Sequence, residues 1–539
     1  MNKITRVIWS CCIVFIMVNV LPLSVGAKSS KSFNDISGSY AESAIQAVYS
    51  KGLMNGTDAT RFQPTKPITR AEWITVLERL LAMKEVKSTI PSFKDVAKSS
   101  WYYGWVEAGY LLGLTSGRSS SNFEPNHPVT REEAAVMLMR ALKFKATASV
   151  STTTFSDDQD IASWVKHDVQ TIHELGLMNG AEGFFLPKHL LTRQETATLL
   201  YRMMQQKSWM TSIESALQGS VQLGWQYGQT TEEYKQSILS SNINTLSPRW
   251  LYVKKDGSVT NLVDPSLVKW AHKNNKQVWG MVGNHSDAVA SHQVLSDSTK
   301  RSKVIVELTQ IARDNGLDGL NIDFENVSGQ DKAYFTIFIS TLADKLHKAG
   351  VSLSVNVSPD LGTDWTEVFD YAALGKAADY ILLMGYDEHW SGAPNPGSVS
   401  SLPWITSGLD SLLQQVSSKK VILALPFYSR DWKVSSSGST IHSTDMTLGE
   451  QASRVATYRL KPVWNKTIQQ YTASYQQNSV QHRIWLEESR SLTGKYQMGL
   501  QRNIAGFAYW WTGAETPDVW SALHNAERFD GYNFARVSN

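Results

Sequence analysis

The sequence runs to 539 residues and 60.2 kDa, with 42% hydrophobic and 19% charged residues. That is too much chain for one small core and implies about two to four domains. Lys and Arg total 52 against 49 Asp and Glu, a net charge of +3, which excludes the broad positive field of a general nucleic-acid binder. The 19 Trp, 20 Tyr and 17 Phe are a large aromatic stock, suited either to core packing or to stacking on sugar rings.

Residues 1–27 read as an export signal: Lys3 and Arg6 lead, Val7 to Val20 is mostly apolar, and Val25-Gly26-Ala27 offers small residues for cleavage. A retained membrane anchor is the other reading of that stretch. Cys11 and Cys12 both lie within it, so the mature chain is expected to carry no thiol, disulfide or cysteine metal ligand. After residue 28 no run has the length and apolarity of a membrane helix, and the product is expected outside the cytoplasm.

From 31 to about 205 the chain repeats itself about every 61 residues. Phe33-Asn34-Asp35, Phe93-Lys94-Asp95 and Phe155-Ser156-Asp157 open the copies. Thr69-Arg70-Ala71-Glu72, Thr130-Arg131-Glu132-Glu133 and Thr192-Arg193-Gln194-Glu195 come near their ends. Between them Gly52, Gly113 and Gly176 each follow an amphipathic helix, where glycine can take the left-handed cap. In each Thr-Arg-x-Glu the threonine and the glutamate three residues on form a capping box. The cap does not need the arginine at its positive end. Arg70, Arg131 and Arg193 are therefore either ligands for an anion, such as a sugar phosphate or carboxylate, or partners of each repeat's own aspartate.

The three copies resemble the S-layer homology family over nearly all of 31–205. The resemblance implies short helical units around a common axis that bind secondary polymers of a bacterial cell wall without covalent attachment. It places Arg70, Arg131 and Arg193 against those polymers. The third copy departs most, its stretch from Gly180 to Phe185 being one residue shorter than Gly56 to Phe62. The implied division is a signal at 1–27, repeats at 28–88, 89–150 and 151–205, a helical or irregular linker at 206–219, and a second domain at 220–539.

In that second domain eight apolar runs alternate with helical patterns: Val221–Trp225, Ile243–Leu246, Gln277–Val282, Leu317–Phe324, Val351–Val357, Tyr380–Tyr386, Val421–Phe427 and Ile504–Trp510. This predicts an α/β fold, a parallel (β/α)8 TIM barrel, behind a mostly helical three-repeat domain. The rival, an open doubly wound sheet, usually has a glycine-rich phosphate loop after its first strand, and Gly224-Trp225-Gln226-Tyr227-Gly228 is not one. The interval from Phe427 to Ile504 exceeds one helix and predicts a small insertion before the last strand, with a strand at Arg483–Leu486.

In Asp318-Gly319-Leu320-Asn321-Ile322-Asp323-Phe324-Glu325, period two puts Asn321, Asp323 and Glu325 on one face, with Ile322 and Phe324 toward the helices. Two acids so spaced repel through a low dielectric, raising the proton affinity of one toward that of a general acid near neutral pH. An ordinary polar strand end or a cation site is the alternative, although no His or Asp cluster lies nearby in sequence. Carboxyls on one strand approach a sugar from one side, whereas most glycosidases oppose two across the scissile bond. The geometry suits attack by the substrate's own N-acetyl oxygen, with Glu325 protonating the leaving oxygen and Asp323 holding the acetamido N–H.

Here the chain resembles glycoside hydrolase family 18 over roughly 220–530. The likeness rests on Asp318, Asn321, Asp323 and Glu325 together with Ser354-Val355-Asn356-Val357, Met384-Gly385-Tyr386-Asp387 and Gly506-Phe507-Ala508-Tyr509-Trp510. The resemblance implies that Glu325 is acid and then base, Asp323 assists the acetamido group, and Tyr386 donates to its oxygen. It implies that Asn321 and Asp387 contribute to substrate binding, that Trp510 floors the pocket, and that configuration is retained. Asn321 stands where chitinases of this type carry an acid, so it cannot share a proton with Asp323 but can still orient it by hydrogen bonding, and the Asn-Ile-Asp-Phe-Glu form is similar to a branch that includes spore-cortex and wall-associated glucosaminidases.

His389 and Trp390 are either cleft residues or loop anchors; Trp250, Tyr252 and Trp279 either stack on sugars or fill the core; Glu487-Glu488 either touch substrate or lie at the surface. The expected protein is a secreted glycoside hydrolase, attached non-covalently to the cell wall, which cleaves β-1,4 bonds of N-acetylglucosamine-containing glycans. Peptidoglycan ranks first and chitin second, and neither a metal nor an organic cofactor is required. A non-catalytic wall-bound glycan binder is the reading from a different class.

Overall fold

The computed structural model describes residues 33–144, 152–215, 219–360, 362 and 364–534; the expected signal at 1–27 lies outside them. The repeats form helices Glu42–Ser50 and Arg70–Leu80, Tyr103–Leu111 and Arg131–Ala141, then Lys166–Glu174 and Arg193–Gln205. All three capping boxes close, with Thr69, Thr130 and Thr192 each exchanging hydrogen bonds with the glutamate three residues on. Gly52, Gly113 and Gly176 have φ of 71°, 73° and 67°, the left-handed conformation that ends each first helix. In the shorter third copy Gly180 is also left-handed (φ 72°), and Ala181 and Phe184 exchange backbone hydrogen bonds in a tight turn.

The repeats close on one another as a ring. Ile68 N–H donates to Leu191 C=O at 2.8 Å, Leu191 to Val129 at 2.9 Å, and Val129 back to Ile68 at 3.0 Å. The arginines follow the same circuit. Arg70 Nε donates to Phe123 C=O at 3.0 Å, Arg131 Nε to Phe185 C=O at 2.7 Å, and Arg193 Nε to Phe62 C=O at 2.8 Å. Each guanidinium also lies over that phenylalanine ring and near the capping glutamate of the repeat it enters, Glu133, Glu195 or Glu72. The three side chains are buried, and burial lowers their proton affinity. They clamp one repeat to the next. Pairing with the repeat's own aspartate does not occur: Asp35, Asp95 and Asp157 accept from backbone N–H groups instead.

The stretch expected as a linker carries a helix, Lys207–Glu214, whose Trp209 and Ile213 are buried. The barrel strands are β1 (Val221–Gln226), β2 (Thr245–Val253), β3 (Gln277–Gly283), β4 (Gly319–Asp323), β5 (Ser352–Val357), β6 (Tyr380–Met384), β7 (Val421–Pro426) and β8 (Gly506–Trp510). Neighbours pair in parallel from β1 to β8, and β8 pairs with β1, closing the barrel. β2 runs well past the predicted Leu246, because it continues through a bulge at Arg249 to Leu251 into a hairpin with Val259–Asn261. Inside the barrel, Leu223, Trp225, Trp279, Met281, Leu382, Ile422 and Ala424 form an inner cluster.

The insertion leaves the end of β7. Strands Tyr428–Val434, Thr440–Thr447, Val463–Asn465, Gln470–Gln477 and Val480–Leu486 make an antiparallel sheet, with helix Leu448–Thr457 beside it. The repeat domain rests on barrel helices Ser489–Gln501 and Pro517–Gly531 through Lys84 with Asn525 and Tyr110 with Arg490. Among the described residues no helix is long and apolar enough to cross a membrane.

Candidate active site

The acidic strand meets the alternation its sequence predicts. Ile322 and Phe324 pack outward, Phe324 against Phe335 and Phe338 of helix Lys332–Lys348. Asn321 points into the barrel and is fully buried. It accepts from Trp225 Nε1 at 2.9 Å and donates to Ser354 Oγ at 3.0 Å and Asn356 Oδ1 at 2.7 Å. Expected to contribute to substrate binding, Asn321 is enclosed here, and these hydrogen bonds lie within the barrel.

Asn356 passes that order on, donating from Nδ2 to Asp323 Oδ1 at 2.8 Å. Asp323 is the last residue of β4, at the end of the barrel where these folds keep their active sites. Burial, then the neighbouring Glu325 carboxylate, push the Asp323 carboxyl up from 3.8 to about 7. Asn356 and the Arg249 charge oppose that rise. Asp323 thus keeps its proton up to near neutral pH. Glu325 lies just past the strand, its backbone clasped by Asn284 through two hydrogen bonds of 2.7 and 3.0 Å. Ser286 Oγ donates to its Oε2 at 2.7 Å.

Tyr386 and Asp387 follow β6. The Tyr386 hydroxyl makes no hydrogen bond among the described residues, and burial with the charges of Asp323, Asp387 and Glu325 keeps it protonated far above its ordinary range. Its ring lies roughly parallel to Trp510, 6.4 Å between centroids. Asp387 is exposed and left-handed (φ 65°), and its Oδ1 accepts from Tyr428 Oη at 2.6 Å and Arg430 Nη2 at 2.8 Å. Both donors come from the first strand of the insertion, which therefore walls the site. Trp510 ends β8 among Trp225, Tyr227 and Trp511.

The Glyco_hydro_18 model, glycosyl hydrolases family 18, matches residues 225–515, and the S-layer homology domain matches 32–73, 92–135 and 154–197. The chain belongs to glycosyl hydrolases family 18. It is a glycoside hydrolase with three S-layer homology repeats ahead of its barrel. The chain is 28% identical over 319 residues to the uncharacterized glycosylase YvbX of Bacillus subtilis, covering 57% of this chain and 91% of that protein. The cortical fragment-lytic enzyme of Bacillus anthracis is 27% identical over 246 residues, 45% of this chain and 56% of that enzyme. A chitinase from Chromobacterium violaceum shares the fold, with a TM-score of 0.53 at 24% identity over 57% of this chain and 99% of that one.

The end of the barrel brings together Asp323, Glu325, Tyr386, Asp387 and Trp510, and adds residues that had no role in the reading of the sequence. Asn356, Asn284 and Ser286 fix the acids, Tyr428 and Arg430 fix Asp387, and Arg249 supplies a cation. Parity on β2, two residues beyond the inward Ser247, was the one available signal for Arg249. Other expectations resolve differently. Trp250 and Trp279 are core residues, while Tyr252 stacks on His285 at 4.2 Å. His389 anchors its loop through Ser398 C=O at 3.0 Å, and Trp390 is exposed.

Glu487 and Glu488 neither touch a cleft nor lie at the surface. Both are buried: Glu487 pairs with the buried Lys495 and accepts from Ser491 and Gln470, while Glu488 caps helix Ser489–Gln501. A carboxylate taken out of water requires such partners.

Proposed function

We infer that this hydrolase cleaves β-1,4 bonds following N-acetylglucosamine with retention of configuration, the substrate's acetamido oxygen acting as nucleophile. Glu325 protonates the leaving oxygen and then activates water. Asp323 takes the acetamido N–H and offsets the charge of the cyclic intermediate, and Tyr386 donates to the acetamido oxygen. Asp387 binds the sugar and Trp510 supports it. The observation that carries this reading is the single strand end holding both acids, where burial and the Glu325 charge keep Asp323 protonated to about pH 7. The unpartnered hydroxyl of Tyr386 beside them supports the donor role.

Peptidoglycan or its fragments rank before chitin, because repeats of the S-layer homology type would hold an exported enzyme against the wall. A relative named for cortical fragments favours the first substrate and a fold neighbour named as a chitinase keeps the second in view. Wall attachment would use the grooves between repeats. A cavity of about 300 Å³ lined by Asn55, Gly56, Thr57, Glu72, Arg79 and Arg193 supports that placement for Arg193. Arg70 and Arg131 frame equivalent junctions from within.

Digestion of chitooligosaccharides and purified glycan strands by the full chain, beside Glu325→Gln, tests the chemistry. Products from the unmodified protein and a loss of about 10²–10⁴-fold in the variant are expected. Equal activity removes Glu325 from the mechanism, and binding without products favours the non-catalytic reading. For attachment, the protein should sediment with polymer-bearing walls and not with walls stripped of secondary polymer. Equal binding to both refutes it.

A further inference from the structure

Arg249 is a cation that a neutral sugar chain does not need. It sits on β2 at the mouth of the barrel, with its guanidinium carbon 5.2 Å from the Tyr227 ring centre and 5.8 Å from that of Trp510. Its charge reaches Asp323, whose proton affinity it lowers. Its Nε is buried without a hydrogen-bond partner, and no carboxylate lies within ion-pair distance among the described residues. Contacts with ring faces leave the in-plane N–H groups of a guanidinium open, and those groups match a carboxylate in two-pronged geometry. A buried donor left unpaired is costly, so the arrangement is completed by a ligand that supplies an acceptor.

We propose that Arg249, flanked by Tyr227 and Trp510, forms a carboxylate subsite that takes the acidic side group of a glycan chain. Resting on the reading of this cleft as a glycan-hydrolysing site, the subsite narrows the substrate class. Chitin has hydroxyl and acetamido groups only, whereas a muramyl residue carries a lactyl carboxylate on the sugar itself. Strands whose lactyl carboxyl is free offer the anion directly. In peptide-bearing strands that carboxyl is an amide, and the negative charge lies farther out on the peptide.

The test is steady-state kinetics at pH 6 with the full chain and its Arg249→Gln and Arg249→Lys variants. Four substrates are compared: peptide-free strands of alternating N-acetylglucosamine and N-acetylmuramic acid, the same strands with the lactyl carboxyl reduced to an alcohol, peptide-bearing strands, and chitohexaose. Arg249→Gln is expected to lower kcat/KM for the free-carboxyl strands at least tenfold more than for chitohexaose, chiefly through KM. Arg249→Lys recovers part of the loss, and the reduced strands lose the preference on the unmodified protein. A larger loss on peptide-bearing strands moves the recognised charge from sugar to peptide and overturns the lactyl assignment. Equal losses on all four overturn the subsite and leave Arg249 as a positioning residue for Asp323 and Trp510. Calorimetric binding of the N-acetylglucosaminyl-N-acetylmuramic acid disaccharide is measured in parallel. If no substrate is cut, the hydrolase reading fails, and weaker binding of this disaccharide by Arg249→Gln still decides the subsite.

Discussion

Asn356 accepts from Asn321 at 2.7 Å and donates to Asp323 at 2.8 Å, so a fully buried amide on one strand steers the Asp323 carboxyl through its neighbour on the next. The amide at position 321 cannot pass a proton. It fixes the orientation of Asn356, and Asn356 favours the charged form of Asp323 against the burial that opposes it.

A pH profile follows from this balance. Asp323 holds a proton up to about 7 that can pass to Glu325 for acid catalysis, so kcat/KM should fall as pH rises through about 7. Asn356→Ala removes a hydrogen bond that lowers the Asp323 value, and the basic limb should move to higher pH. A limb that stays in place or moves down contradicts the assignment.

The same carboxyl makes stability depend on pH. Its value in the folded protein, about 7, lies above the ordinary 3.8, so the folded form holds a proton that the unfolded chain releases within that window. Stability is lost as pH rises from about 4 to 7 and levels off above. Asp323→Asn lacks this loss. Its gain in urea midpoint over the unmodified protein should be larger at pH 8 than at pH 4, and an equal gain at both counts against it.

Tyr386→Phe separates chemistry from folding. Because its hydroxyl has no hydrogen-bond partner among the described residues, thermal stability should be unchanged. Loss of one donor to a developing charge should lower kcat by about 10²–10³-fold. A stability loss with intact kcat would reverse the roles.

The repeat ring predicts a mechanical cost. Arg131→Met removes the donor to Phe185 C=O and the 3.0 Å ion pair with Glu195. Destabilisation by about 1.5–3 kcal/mol is expected, read by chemical denaturation followed through hydrogen exchange in the repeats. No change there would return Arg131 to the status of a free anion ligand.

What was legible in the sequence was periodic or repeated. The alternation across Asn321 to Glu325, the capping boxes and the succession of strands each depend on residues a few positions apart. Contacts set by closure were not legible. Arg193 finds Phe62, 131 residues away, only because the third repeat meets the first. Arg249 meets Tyr227 and Trp510 only once β8 closes on β1, and Glu487 meets Lys495 two helical turns on, a spacing that resembles surface charge until both are buried. Asp387 gains its partners from an insertion whose sheet the apolar pattern announced only at one strand.

The most direct measurement is proton NMR of the first product released from chitohexaose or peptide-free glycan strands, recorded before mutarotation. Substrate-assisted attack at the strand end holding Asp323 and Glu325 predicts the β-anomer first, converting to the α-anomer with time. An α-anomer formed first would show single-step inversion by water, and would contradict the mechanism built on those two carboxyls.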